Sequence, residues 1–124
     1  MVLEVIDKEF SVCKVEDYSL VDPNAEFVFT GKTDEEKSLV CETTMTPPNV
    51  TAREDGWRAF RIEGTLDFSL IGILARISGL LADAGIGVFA VSTFNTDYIL
   101  TKSENYSQAL QVLKANGFTV RVEK

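Results

Sequence analysis

Two short polar clusters in the second half of the chain carry the residue types that a small-molecule site needs. Ser92-Thr93-Phe94-Asn95-Thr96-Asp97 sets five polar side chains within six residues. Hydroxyls, an amide and a carboxylate can together hold an ammonium group and a carboxylate group at once. The same residue types also populate turns for backbone reasons, so a solvated hairpin turn is the other account of this segment. The second cluster is Gly64-Thr65-Leu66-Asp67-Phe68-Ser69. A helix opening there would point free backbone N–H groups at an anion. A plain strand-to-helix turn capped by Asp67 is the competing account.

Catalytic chemistry finds little to work with. The chain has no histidine, which removes the commonest general base and the commonest metal ligand. Ser-His-Asp and Cys-His machinery is excluded outright. Glu63, Asp67 and Asp97 are the carboxylates nearest the two clusters, but their spacing brings no two of them together as an acid/base pair. Cys13 and Cys41 fall in separate apolar runs and read as buried free thiols, with neither a disulfide nor a zinc site expected. Gly85-Ile86-Gly87 follows a helical pattern where a dinucleotide fingerprint would precede one. No catalytic residue, metal site or cofactor is expected.

The elements that must position the clusters are legible between residues 57 and 124. Trp57–Glu63 alternates, with Phe60 and Ile62 on one face, as a half-buried strand does. Leu70, Ile73, Leu74, Ile77, Leu80, Leu81 and Ala84 fall at helical spacing and predict a helix over about Phe68–Ala84, capped by Asp67 or Ser69 and ended by Gly85. Gly72 and Gly79 lie inside that pattern, where each is unfavourable by about 1 kcal/mol relative to alanine. Close approach by another element would explain them. Gly87–Phe94 and Asp97–Thr101 read as strands joined at Asn95-Thr96. Ser103 then caps a helix to about Asn116, with Tyr106, Ala109, Leu110 and Leu113 inward and Gly117 at its end. Phe118–Val122 alternates as a last strand. Strand, helix, strand, strand, helix, strand is the split βαβ, or ferredoxin-like, order of an α+β fold.

The first half is less regular. Val2–Ile6 and Phe10–Val15 read as strands around an Asp7-Lys8 turn, and Glu16–Asn24 as a polar segment with room for one short helical piece. Phe27–Thr30 and Ser38–Glu42 read as strands flanking Thr33-Asp34-Glu35-Glu36, where Thr33 and Glu36 fit a capping box. Thr43–Asp55, with Pro47-Pro48, reads as a linker-like loop. The expected organisation is a strand-rich, degenerate module over residues 1–56 and a complete βαββαβ module over 57–124.

Bulk properties narrow the partners. The 124 residues carry a net charge of −7, concentrated in the first half. An acidic chain without a basic stripe is a poor match for nucleic acid or an anionic membrane. No apolar run reaches 18 residues, so no membrane-spanning helix is expected. The early acids Glu4 and Asp7 do not suit a secretory signal, so a cytoplasmic setting is expected.

Phe60–Leu74, Leu81-Ala82-Asp83-Ala84-Gly85-Ile86 and Ser92–Leu100 together resemble ACT domains of the CASTOR-like kind, through the motifs Gly-x-Leu-Asp-Phe-Ser and Ser-Thr-Phe-x-Thr-Asp-Tyr. Thr33–Glu36 with Ser38–Cys41 is similar to the companion module of such proteins. The resemblance covers about residues 10–122. It implies tandem ACT modules acting as a non-enzymatic amino-acid sensor, with ligand held at a module or subunit interface of a homodimer. By motif, Thr93, Phe94 and Asp97 would line the pocket, with Asn95 in the same segment. Gly64, Leu66, Asp67 and Ser69 would present the first loop. Asp97 would hold the amino or cationic group of a small zwitterionic ligand. The alternative is a dimerisation module with a vestigial pocket.

Overall fold

A computed structural model describes residues 1–64 and 72–122 of the chain. The elements are β1 (Val2–Val15), β2 (Val28–Lys32), β3 (Lys37–Glu42), a single 3₁₀ turn (Thr43–Met45), β4 (Val50–Ile62), α1 (Ile73–Asp83), β5 (Phe89–Ser92), β6 (Asp97–Lys102), α2 (Ser103–Ala115) and β7 (Thr119–Val122). They fall into two compact units, one made of Met1–Asp7 with Arg58–Lys124, the other of Lys8–Trp57. The first seven residues therefore group with the C-terminal sequence, whereas they were expected in the N-terminal module.

The unit containing the C-terminal sequence follows the strand order β7–β1–β4–β6–β5. β7 runs parallel to the start of β1, with Val2 opposite Thr119 and Glu4 opposite Arg121, and β5 pairs antiparallel with β6. The start of β1 thus lies between the first and last strands of the βαββαβ order, extending it to five strands. Alternation assigns the faces. Leu3, Val5, Phe60, Ile62 and Ile99 join Ile77, Leu81, Ala109 and Leu113 of the two helices in one buried core. Burying a leucine or isoleucine side chain contributes about 1.5–3 kcal/mol, so this cluster holds the unit together. The Tyr106 hydroxyl satisfies itself within the core by donating to the Ala59 carbonyl at 2.6 Å.

Several expectations change here. The helix expected from Phe68 is described from Ile73, because Gly72 at φ +88 is left-handed and precedes the first helical turn. A left-handed residue cannot sit inside a right-handed helix. The cap expected from Asp67 or Ser69 lies outside the described residues. Gly79 is helical, but a Cβ there would meet nothing within 4 Å, so the expected close approach does not occur among the described residues. Ser103 is the first residue of α2 and makes no side-chain cap.

The unit of Lys8–Trp57 uses the order β2–β3–β1–β4. Val2–Ile6 and Phe10–Val15 belong to one continuous strand, with no turn at Asp7-Lys8. Asp7, Lys8 and Glu9 are three consecutive exposed residues that interrupt the alternation, so the pattern resembled a turn. The Glu16–Asn24 segment forms turns and bends and no helix. Asp17 and Asp22 each accept the backbone N–H two residues on, a local pairing that competes with helix. The Thr33 hydroxyl accepts the N–H groups of Glu35 and Glu36, but the result is the β2–β3 hairpin turn. Most of the expected loop at Thr43–Asp55 is instead the 3₁₀ turn and the start of β4. Cys13, Val15, Leu39 and Cys41 form one buried cluster of this unit, and both cysteines are free and buried.

Candidate functional site

The Thr93–Thr96 turn between β5 and β6 is built by its own threonines. The Thr93 N–H donates to the Thr96 carbonyl at 2.8 Å, and the Thr93 hydroxyl bonds the same oxygen at 2.9 Å. The buried Thr96 hydroxyl donates to the Ile62 carbonyl at 2.8 Å, which ties the hairpin to the end of β4. That bond positions the hairpin residues beside Gly64.

Between them lies a cavity of about 310 Å³, lined by Glu4, Arg61, Ile62 and Gly64 on one side and by Thr93, Asn95, Thr96 and Tyr98 on the other. All eight belong to the same unit. Because Leu3, Phe60, Ile62 and Ile99 point into the core, Glu4, Arg61 and Tyr98 stand on the opposite face of the sheet. The Arg61 guanidinium donates to the Tyr98 hydroxyl at 3.1 Å, and lies 5.8 Å from the ring centroid. It also stands 3.7 Å from the Glu4 carboxylate. Arg121 reaches the same Glu4 at 3.5 Å and Glu63 at 3.1 Å. Glu4 keeps only 13% of its side chain exposed and Arg61 only 23%, so both charges are largely desolvated and depend on partners. The rim residues Gly64, Thr93 and Asn95 are exposed. A cavity of this size, polar and carrying one acid and one base, suits a small molecule with both signs of charge.

Of the residues expected from sequence, Gly64, Thr93 and Asn95 line the cavity. Phe94 does not; it is 89% exposed at the hairpin tip. Asp97 does not line it either, and pairs with Ser92 at the end of the β5–β6 ladder. Leu66, Asp67 and Ser69 lie outside the described residues. Sequence reasoning passed over Glu4, Arg61, Ile62 and Tyr98, and raised Thr96 only as a member of the Ser92–Asp97 polar cluster. Strand alternation could have raised Arg61, since inward Phe60 and Ile62 require it to face outward. Nothing local in the sequence brings Glu4 to the same place. Among the described residues, no group of His, Cys, Asp or Glu is arranged to hold a metal ion.

Known proteins bear on this arrangement. Residues 52–115 match the family model described as the ACT domain. The human cytosolic arginine sensor for mTORC1 subunit 1 is 41% identical over 59 residues, which is 47% of this chain and 18% of that protein. The matched stretch thus spans under a fifth of this curated relative. Among solved structures, a protein of Agrobacterium tumefaciens superposes with a TM-score of 0.87 at 27% identity, covering 99% of this chain and 93% of the other. The regulatory subunit of aspartate kinase from Thermus thermophilus gives a TM-score of 0.64 at 8% identity, over 91% and 95% of the two chains. At that identity the likeness is one of fold. With the family model spanning more than half of the sequence, the chain belongs to the ACT domain family.

Proposed function

We propose that this protein is a non-enzymatic regulatory sensor that binds a free amino acid, or a similar small zwitterion, in the cavity between the end of β4 and the β5–β6 hairpin. The observation that carries this reading is the pairing of Glu4 and Arg61 in one amino-acid-sized cavity rimmed by Thr93 and Asn95. The arginine-sensing role in the name of the human relative supports the same ligand class. Gly64, Thr93 and Asn95 are assigned to the ligand on geometry; Leu66, Asp67 and Ser69 on motif alone. Phe94 and Asp97 keep a motif-based assignment that would require a second copy of the chain, or movement of the hairpin, to bring them to the ligand.

A tandem, CASTOR-like organisation belongs to the same reading. It is supported by a likeness between two hairpins. The Thr33 N–H bonds the Glu36 carbonyl at 2.9 Å as Thr93 bonds Thr96, and β3 and β6 share the same pattern of buried and half-buried positions. Each is followed at once by a helical turn, which α2 continues and Thr43–Met45 does not. Lys8–Trp57 is then the degenerate partner module.

The test is thermal unfolding of the full chain with each of the twenty amino acids at millimolar concentration. A ligand at 100 times its Kd stabilises by about 2.7 kcal/mol, which raises the melting temperature by several degrees. Twenty flat responses would sink the reading. The exposed Phe94 favours a second one, an assembly module with a vestigial pocket. In that case Phe94→Ser dissociates the oligomer and no amino acid shifts the melting temperature.

A further inference from the structure

The cavity has two walls of different character. Its charged residues, Glu4 and Arg61, lie on the strand side, whereas the hairpin side, Thr93, Asn95 and Thr96, carries no formal charge. The two threonines spend their hydroxyl protons on the fold. Thr93 gives its proton to the Thr96 carbonyl and accepts the Thr96 N–H at 3.3 Å. Thr96 gives its proton to the Ile62 carbonyl. Asn95 differs from both. Its side-chain amide makes no hydrogen bond among the described residues, and it stands exposed at the rim.

Asparagine serves turns in two ways, by bonding the backbone two residues on or by tolerating a left-handed φ. Asn95 does neither, since every positive φ among the described residues belongs to a glycine. The turn therefore does not require asparagine at this position. What Asn95 brings is an amide that can both donate and accept, set on the cavity wall by a hairpin that its threonine neighbours hold in place.

We propose that Asn95 selects the side chain of the bound amino acid, and that the cavity takes one ending in a neutral hydrogen-bonding group, of the amide class, over aliphatic and charged ones. This rests on the amino-acid reading of the cavity. The part of a zwitterion that suits an uncharged wall is its side chain and not its main-chain charges. An ammonium or a carboxylate placed against that wall loses water without meeting an opposite charge. An aliphatic chain covers the Asn95 amide and replaces none of the water bonds it gives up. An amide pairs with Asn95 both ways, as donor and as acceptor. Thr93 and Thr96 are positioning residues that set where Asn95 stands.

Isothermal titration of the full chain with L-glutamine, L-methionine and L-lysine, whose side chains are of similar length, tests this. Wild type should bind glutamine about fivefold or more tighter than either of the others, the worth of one uncharged hydrogen bond. Asn95→Ala should bring glutamine to within about twofold of methionine by weakening glutamine alone. The same variant should leave the melting temperature of the ligand-free chain unchanged, since the turn does not use this side chain. Asn95→Asp is nearly isosteric, places a charge on the hairpin wall and should move lysine ahead of glutamine. Methionine or lysine binding wild type as tightly as glutamine overturns the proposal, and that comparison needs no variant to fold. So does an Asn95→Ala chain that keeps the glutamine advantage or melts lower without ligand, or an Asn95→Asp chain that keeps the wild-type order. If none of the twenty amino acids binds, the amino-acid reading falls first; if some bind in the wrong order, only the Asn95 assignment falls.

Discussion

At the scale of single residues, Cys13 shows how burial decides chemistry. It is 3% exposed, and desolvation, helped by the nearby Cys41, pushes its thiol up from 9.0 to about 11. Cys41 moves the same way for the same first cause. A thiol held protonated is a poor nucleophile. The raised folded-state value also has a pH consequence. Its contribution to stability is fully present below the ordinary thiol value and is lost as pH rises from about 9 through about 11. Both thiols should therefore react slowly with a disulfide reagent at pH 8 and rapidly once urea is added, and chemical denaturation midpoints should fall across that alkaline window. Equal labelling rates with and without denaturant would contradict this account. Asp17 moves the opposite way, lowered chiefly by the Ser19 hydroxyl, but it is a surface group and does not anchor the fold.

At the scale of elements, two glycines do different work at helical boundaries and within a helix. Gly117, at φ +95, follows the C-cap of α2 and turns the chain into β7. Arg76 of α1 closes the same corner, donating to the Asn116 carbonyl at 2.7 Å with its guanidinium 4.9 Å from the Phe118 ring. Gly79 sits inside α1, where an added methyl would meet nothing within 4 Å. Gly117→Ala should destabilise by about 1–2 kcal/mol through left-handed strain, and Gly79→Ala should stabilise by up to about 1 kcal/mol through helix propensity. Urea denaturation of both variants reads the two signs. Should Gly79→Ala destabilise instead, a surface packed on α1 would be indicated, as the sequence spacing of Gly72 and Gly79 first suggested.

At the scale of the whole molecule, a net charge of −7 is unfavourable for binding the nucleic-acid backbone. No described helix is long and apolar enough to cross a membrane. The proposed homodimer predicts a sedimentation mass of about twice the chain's 13.7 kDa. A monomer at micromolar concentration would leave movement of the hairpin as the one route that brings Phe94 and Asp97 to the ligand.

Much of the fold was legible before any coordinates because its signals are local. Phe60 with Ile62, the heptad-like run through Leu81, and Tyr106 with Leu113 each declare a buried face by period alone, and Gly117 marks its own helix end. The α+β order of the C-terminal half follows from those residues. Thr93, Asn95 and Gly64, which line the cavity, were readable as candidates for the same reason, since turn chemistry is written in adjacent positions. What only the tertiary structure decided is which strands lie side by side. Val2–Val5 reads as a strand, yet nothing within it specifies β4 as its neighbour. That adjacency carries Glu4 to Arg61, across a sequence separation no periodicity can span. The Glu4–Arg61 pair in the cavity is thus a product of sheet order, which arises from the shared burial of Leu3, Val5, Phe60 and Ile62 and not from any motif.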